Sequence, residues 1–170
     1  MRESLLYFRN LEKAYSPLVD RLMKEDLSFL AQLEALNRAL MHSKEAFREK
    51  GSFDFCADCA KRGIKCCSRD LEWKLRAEEF FLNLCLFKLN GETLILQERS
   101  TEDCLFLGEM GCILKLTPLF CRNFFCRELS EFLGRDTLIY LQNALEKEVF
   151  LSFKLCEEVK KFLPKGALNL

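Results

Sequence analysis

Nine of the ten cysteines lie between positions 56 and 126, and the first 55 residues hold none. No other feature narrows the fold as much. Thiols gathered in one stretch are buried singly, cross-linked or shared among metal ions, and the last two options dictate where the backbone must return on itself. The flanks differ in kind. Ser16 and Pro17 make a good N-cap and first-turn pair, and Leu18 to Lys50 then contains neither Gly nor Pro, which predicts one long helix ended by Gly51. Within it Leu22, Phe29 and Leu36 recur at seven, as do Leu33, Leu40 and Phe47, while Lys24, Glu34, Arg38, Lys44 and Glu45 fall on other faces. A shorter helix, about Ser4 to Ala14, precedes it and completes a helical hairpin. After Gly134, apolar residues at Leu138, Leu141, Leu145, Val149, Phe153, Cys156 and Val159 predict a second long amphipathic helix over Asp136 to Leu163, stopped by Pro164 and Gly166.

The stretch between these helices is less regular. Glu78 to Lys88 reads as a short helix, Thr93 to Glu98 as a strand, and Cys104 to Leu116 as a hairpin turning at Gly108-Glu109-Met110-Gly111; Thr117 and Pro118 then start another helical turn. The expected fold is mainly α with a small irregular β-hairpin insert, its long N- and C-terminal helices packed around a cysteine-rich metal-binding core. A chain of 170 residues fits a single domain, 1–170, made of a helical hairpin (1–50), a cysteine-cluster region (51–127) and a C-terminal helix (128–170).

Compartment decides how the thiols are read. Met1 to Tyr15 interleaves Arg2, Glu3, Arg9, Glu12 and Lys13 with its apolar residues, unlike a secretory leader, and the longest uncharged apolar run, Phe80 to Phe87, falls far short of the roughly 18 to 20 residues of a membrane span. The expectation is a cytoplasmic protein with no membrane partner, in which reduced, clustered cysteines serve as metal ligands or redox centres rather than disulfides. Lys and Arg balance Asp and Glu at 26 each, so no large field attracts nucleic acid. Eight thiolates holding two divalent ions would shift the loaded chain to about −4, which argues further against nucleic acid.

Four cysteines form the first group, Cys56-x2-Cys59-x6-Cys66-Cys67. The x2 spacing suits a knuckle that turns both sulfurs toward one tetrahedral ion. Neighbours in extended backbone point to opposite faces, so Cys66 and Cys67 cannot easily serve the same ion, and one should face a second group. That group is Cys104-x7-Cys112-x8-Cys121-x4-Cys126. With Gly111 left-handed at the hairpin tip, Cys104 and Cys112 share a face yet lie about 13 Å apart unless the strand bends. Cys121 and Cys126 are about 140° apart on an ideal helix, so the helix carrying Cys121 should end before Cys126. Ligands drawn from both groups into two ions or one larger cluster fit this geometry.

The run from Cys56 to Cys67, then Cys104-Leu-Phe-Leu, Gly111-Cys112-Ile-Leu and Pro118-Leu-Phe-Cys121-Arg122-Asn-Phe-Phe-Cys126, resembles the YkgJ-type cysteine cluster, the zinc- or iron-chelating CxxCxxCC domain. The resemblance spans about residues 53 to 127, with the Cys66-Cys67 doublet and the proline followed by Cys-Arg as its most specific pieces. The chain departs from the pattern in a longer gap before the doublet and in Thr117, where an arginine usually precedes the proline. The resemblance implies metal chelation by Cys56, Cys59, Cys66, Cys67, Cys104, Cys112, Cys121 and Cys126. A similar cluster occurs in flagellin lysine methylases.

Cys85 and Cys156 sit on apolar stripes and read as core, as do Trp73 and the Phe80-Phe81 pair, whereas His42 reads as a surface helix residue. Lys61, Arg62, Lys65 and Arg69 read as local compensation for thiolate charge, and Arg122 as a donor to sulfur or to a nearby carboxylate. One histidine all but excludes His-dependent nucleophilic catalysis, no phosphate-cradling loop is present, and only Glu102 and Asp103 among the paired acids lie beside a cysteine. The reading therefore leans away from an enzyme. The expected function is chelation of zinc or iron in a structural or metal-handling role. The alternatives are an iron–sulfur enzyme or redox module carrying a [4Fe–4S] cluster, and a thiol switch that releases zinc on oxidation. The long apolar stripes are also compatible with a homodimer through the helices.

Overall fold

A computed structural model describes residues 2–64 and 66–163. Its first helix, α1, runs Glu3–Glu25 straight through Ser16 and Pro17, so the expected break there is corrected. A proline inside a helix costs about 3 kcal/mol. Here the buried stripe Leu5, Phe8, Leu11, Tyr15 and Val19 continues across it, and each such side chain contributes roughly 1.5–3 kcal/mol on burial, which outweighs the cost. The Ser16 hydroxyl donates to the Glu12 carbonyl at 2.7 Å. The break falls at Asp26 instead, whose side chain accepts from the Phe29 N–H and caps α2, Leu27–Glu49. A helical hairpin forms as expected, but from two helices of 23 residues each.

Gly51 ends α2 with φ 74°, a left-handed position that only glycine takes without strain, and α3, Ser52–Lys61, follows at once. A 3-10 turn at Leu71–Lys74 leads to α4, Ala77–Leu89, apolar nearly all round and correspondingly buried. Thr93 to Glu98 pairs with no strand. Leu94 and Leu96 are buried and Ile95 is exposed, but the Leu-Ile-Leu run that suggested a strand forms no ladder among the described residues. The hairpin is smaller than expected: β1, Leu107–Gly108, and β2, Gly111–Cys112, pair antiparallel with Leu107 opposite Cys112. After a single helical turn, α5 (Leu119–Arg122), the chain enters α6, Arg127–Val159, which is broken at Gly134 (φ 73°, ψ 163°). The expected stop at Pro164 and Gly166 lies outside the described residues.

The architecture is mainly helical with one small two-stranded sheet. α2 runs against α6, and α4 touches α1, α2 and α6. Phe8 of α1 sits at the centre of the main core, its ring 5.0 Å from that of Phe80 and 4.9 Å from that of Phe106. This pins the stretch after Cys104 to the helices. Fully buried Asn83 fixes its exit, donating to the carbonyls of Glu79 and Leu116 at 2.9 Å and accepting from the Leu116 N–H at 3.0 Å. A second, smaller core joins Ala46 and Phe47 of α2, Phe55 of α3, and Phe125, Leu129, Leu133 and Leu141 at and along α6. Cys85 and Cys156 are fully buried in the main core, His42 is exposed, and Trp73 is 44% exposed although it lies against Tyr7 and Phe8. No helix among the described residues is long and apolar enough to cross a membrane.

Candidate metal centre

Cys56 and Cys59 lie one turn apart on α3, so the expected knuckle is replaced by a helix that still presents both sulfurs on one side. The helix persists because Phe53 stacks on Phe47 and Phe55 on Phe132, anchoring α3 across α2 and α6. Cys126 reaches the same place from α6. It caps that helix, its sulfur accepting from the Leu129 N–H at 3.4 Å, and its thiol is hydrogen-bonded to the Glu128 carboxylate. As the spacing predicts, α5 ends at Arg122 and leaves Cys126 on a different helix from Cys121.

The doublet passes between this group and the hairpin. The Cys104 N–H donates to the Cys67 carbonyl at 2.9 Å, the Arg69 N–H donates to the Glu102 carbonyl at 2.8 Å, and Ser68 bridges antiparallel to Asp103. Glu102 and Asp103 thus serve through their backbone: the Asp103 carbonyl also accepts from Arg2 Nη1 at 2.6 Å. The strand that would have held Cys104 far from Cys112 does bend, through a turn in which the Leu107 N–H bonds the Cys104 carbonyl at 3.0 Å. Backbone N–H groups of Phe106 and Leu114 point at the sulfurs of Cys104 and Cys112 respectively, the support that thiolate ligands use.

Electrostatics sorts the eight thiols. Burial pushes Cys56 up to about 11, and the nearby Cys126, Cys59, Cys66 and Cys67 push the same way. Cys66 is raised by burial, then by Cys126, Cys59 and Glu128. On the other side burial takes Cys104 to about 11, with Glu72, Cys67 and Cys121 adding to it, and Cys112 to about 12, with Cys104 and Cys67 adding and Lys44 opposing. Cys112 is exposed as a residue, but protein surrounds its sulfur closely enough for desolvation to dominate. Cys67 is raised by burial, Cys66 and Asp103; Cys121 by burial and Cys67, with Arg122 opposing. Cys56, Cys59, Cys66 and Cys126 influence one another, as do Cys67, Cys104, Cys112 and Cys121, and the doublet joins the two sets, Cys67 acting on Cys56 and Cys66 on Cys67.

Among the described residues, no three His, Cys, Asp or Glu side chains converge closely enough to hold a metal ion. The eight cysteines are neighbours rather than an assembled coordination sphere. In kind and number they fit all-thiolate chemistry: each set offers four sulfurs, and thiols that resist ionising beside one another are those a cation can deprotonate on binding.

The basic run is dispersed. Arg62 donates to the Cys59 sulfur at 3.3 Å, Lys61 pairs with Asp58, Arg69 reaches Asp70 at 3.8 Å, and Lys65 lies outside the described residues. Arg122 pairs with the fully buried carboxylate of Glu148, which also accepts from the Ser43 hydroxyl. Burial lowers Arg122 to about 10, with Glu79 and Cys121 opposing the shift, which leaves the guanidinium charged at neutral pH. Lys44 of α2, expected on a face away from the apolar stripe, is instead half-buried, donates to the Leu114 carbonyl at 3.2 Å and lies near Cys112. It stands four residues after Leu40 and three before Phe47, close enough to their stripe for its stem to be covered. Glu148 had a positional signal, between Leu145 and Ser152 on the buried face of α6, which turns Phe153 outward. No family model matches the chain, and no curated protein or solved structure matches it either.

Proposed function

We propose that this protein chelates zinc or iron through eight cysteines, as two four-thiolate centres, in a structural or metal-handling role. The observation that supports this best is segregation: none of the eight cysteines of the motif is buried, while Cys85 and Cys156 lie fully buried in the apolar core. A chain that used cysteine only as a small hydrophobe would not divide them this way. The sequence resemblance to the CxxCxxCC domain adds support from spacing. All-thiolate sites suit structural Zn2+ and, with iron and sulfide, a [4Fe–4S] cluster, and a reducing compartment is what such a site requires.

Metal content of variants tests the proposal. Chains purified without oxygen and assayed for zinc and iron should lose about one centre's metal on Cys59→Ser and on Cys104→Ser, and none on Cys156→Ser. Colourless protein would assign zinc; a brown protein with broad visible absorption would assign iron–sulfur. Equal loss in all three variants, or no bound metal in the parent chain, would overturn the reading.

A further inference from the structure

The outward side of α6 carries two large aromatic residues in water. The helix turns Leu141, Leu145, Glu148, Leu155 and Val159 inward, and at about 100° per residue Phe150 lies almost opposite the middle of that buried stripe. Phe150 is 66% exposed, and Phe153, one turn further on, is 60% exposed. Adjoining apolar side chains left in water form a patch that association covers.

The charges beside the patch decide what fits it. On the ridge of residues four apart that runs through Phe150, the next position in one direction is Glu146 and in the other Lys154. Both are exposed, and among the described residues neither has an ion-pair partner. Other charges of the same helix are matched, Arg127 by Glu131 at 2.8 Å and Glu157 by Lys160. The ridge therefore reads acid, aromatic, base. A contact between two copies about a two-fold axis sets a patch against its own reversed image, so the patch must complement itself. This one does: when two α6 helices cross antiparallel at Phe150, the phenyl rings meet and Glu146 of each copy comes beside the partner's Lys154. Ridges four residues apart pack together at a crossing angle of about −50°, the commonest between helices, and that angle brings these two ridges into line. The neighbouring register, with Phe150 against the partner's Phe153, would instead set Glu146 against the partner's Glu157. An anionic surface or a polyanion would attract Lys154 and repel Glu146.

We propose that a second copy of the chain docks on this face, the two α6 helices crossing antiparallel at Phe150 with Glu146 of each copy paired to the partner's Lys154. The proposal goes beyond metal chelation and uses none of the cysteines. Contact confined to a few turns of one helix makes a small interface, so the dimer forms and dissociates with concentration.

Sedimentation equilibrium of the full chain, kept anaerobic and reduced, reads this out from about 1 to 500 μM. A monomer–dimer equilibrium is expected. Phe150→Ser should raise the dissociation constant about tenfold or more, and so should Glu146→Lys and Lys154→Glu singly, because each sets like charges opposite one another twice. The double variant Glu146→Lys, Lys154→Glu should return close to the parent value. An equimolar mixture of the two single charge variants should form a heterodimer at least tenfold tighter than either variant forms alone, since every crossed contact is then between opposite charges. A parent chain that stays monomeric throughout, or a dimer unchanged by Phe150→Ser, would overturn the proposal. So would a double variant no tighter than the single ones, or a monomeric parent that instead pellets with phosphatidylcholine vesicles, which would assign the patch to lipid. Should Phe150→Ser misfold by circular dichroism, the charge variants and their mixture decide the question alone.

Discussion

Asn83 shows how one polar residue can fix where a loop leaves the core. It is fully buried on an otherwise apolar helix, and both of its amide atoms engage the backbone of Leu116. Asn83→Leu would keep the volume and strand the Leu116 N–H and carbonyl without partners, at about 1–3 kcal/mol for each buried group left unmade. The expected result is a lower urea midpoint, corresponding to about 2–6 kcal/mol of lost unfolding free energy; an unchanged midpoint would mean that the exit strand is held by packing alone. The buried thiols behave differently. Burial raises Cys85 and Cys156 to about 12 from the ordinary 9.0, and Tyr15 to about 12 from 10.0. Each is protonated in the fold and ionises more readily in the unfolded chain. The stability they contribute is therefore complete below about pH 9 and is lost as pH climbs toward 12, on the order of a few kcal/mol per thiol. Urea midpoints of the metal-free chain between pH 8 and 10.5 should fall, and fall less in the Cys85→Ala, Cys156→Ala double variant; parallel curves would contradict this.

Between elements, the Arg122–Glu148–Ser43 contact joins α5, α6 and α2 at one buried point. Glu148→Leu leaves a buried guanidinium unpaired and should cost about 3–5 kcal/mol, whereas adding Arg122→Met should recover most of it. Equal destabilisation of the single and double variants would mean the pair is not the cause. Elements were legible in the sequence where periodicity and local signals agreed: α4, the turn at Gly108–Gly111, the stop at Gly51 and the separation of Cys121 from Cys126. They were misread where tertiary burial outweighed a local signal. Pro17 marks a helix start by itself, yet the stripe through Tyr15 and Val19 carries α1 past it. The Cys56-x2-Cys59 spacing suggests a knuckle, yet Phe53 and Phe55 stack as helical neighbours. Thr93–Glu98 carries a strand-like Leu-Ile-Leu run, but among the described residues no strand pairs with it. The expectation that the Cys66-Cys67 doublet serves two ligand groups rests on backbone geometry alone. Lys44 and Glu148 were not legible, since the Lys44–Leu114 and Ser43–Glu148 contacts join residues 70 and 105 apart along the chain.

For the whole molecule, two cores support one cysteine-bearing end. The main core holds α1, α4 and the hairpin with Cys104 and Cys112; the smaller one holds α3 against the start of α6 with Cys56, Cys59 and Cys126. Neither core reaches across the doublet, where Cys66 and Cys67 sit in irregular backbone. Metal bound on both sides of the doublet would link the two cores, so that its binding energy becomes folding energy. Native mass spectrometry of the anaerobically purified chain, with elemental analysis of the same sample, tests this account most directly. Two metal centres per chain are expected, with eight thiols protected from alkylation by bound metal and becoming reactive on chelation, while Cys85 and Cys156 react only on unfolding. A chain with the mass of the polypeptide alone, and all eight of those thiols freely alkylated, would contradict it.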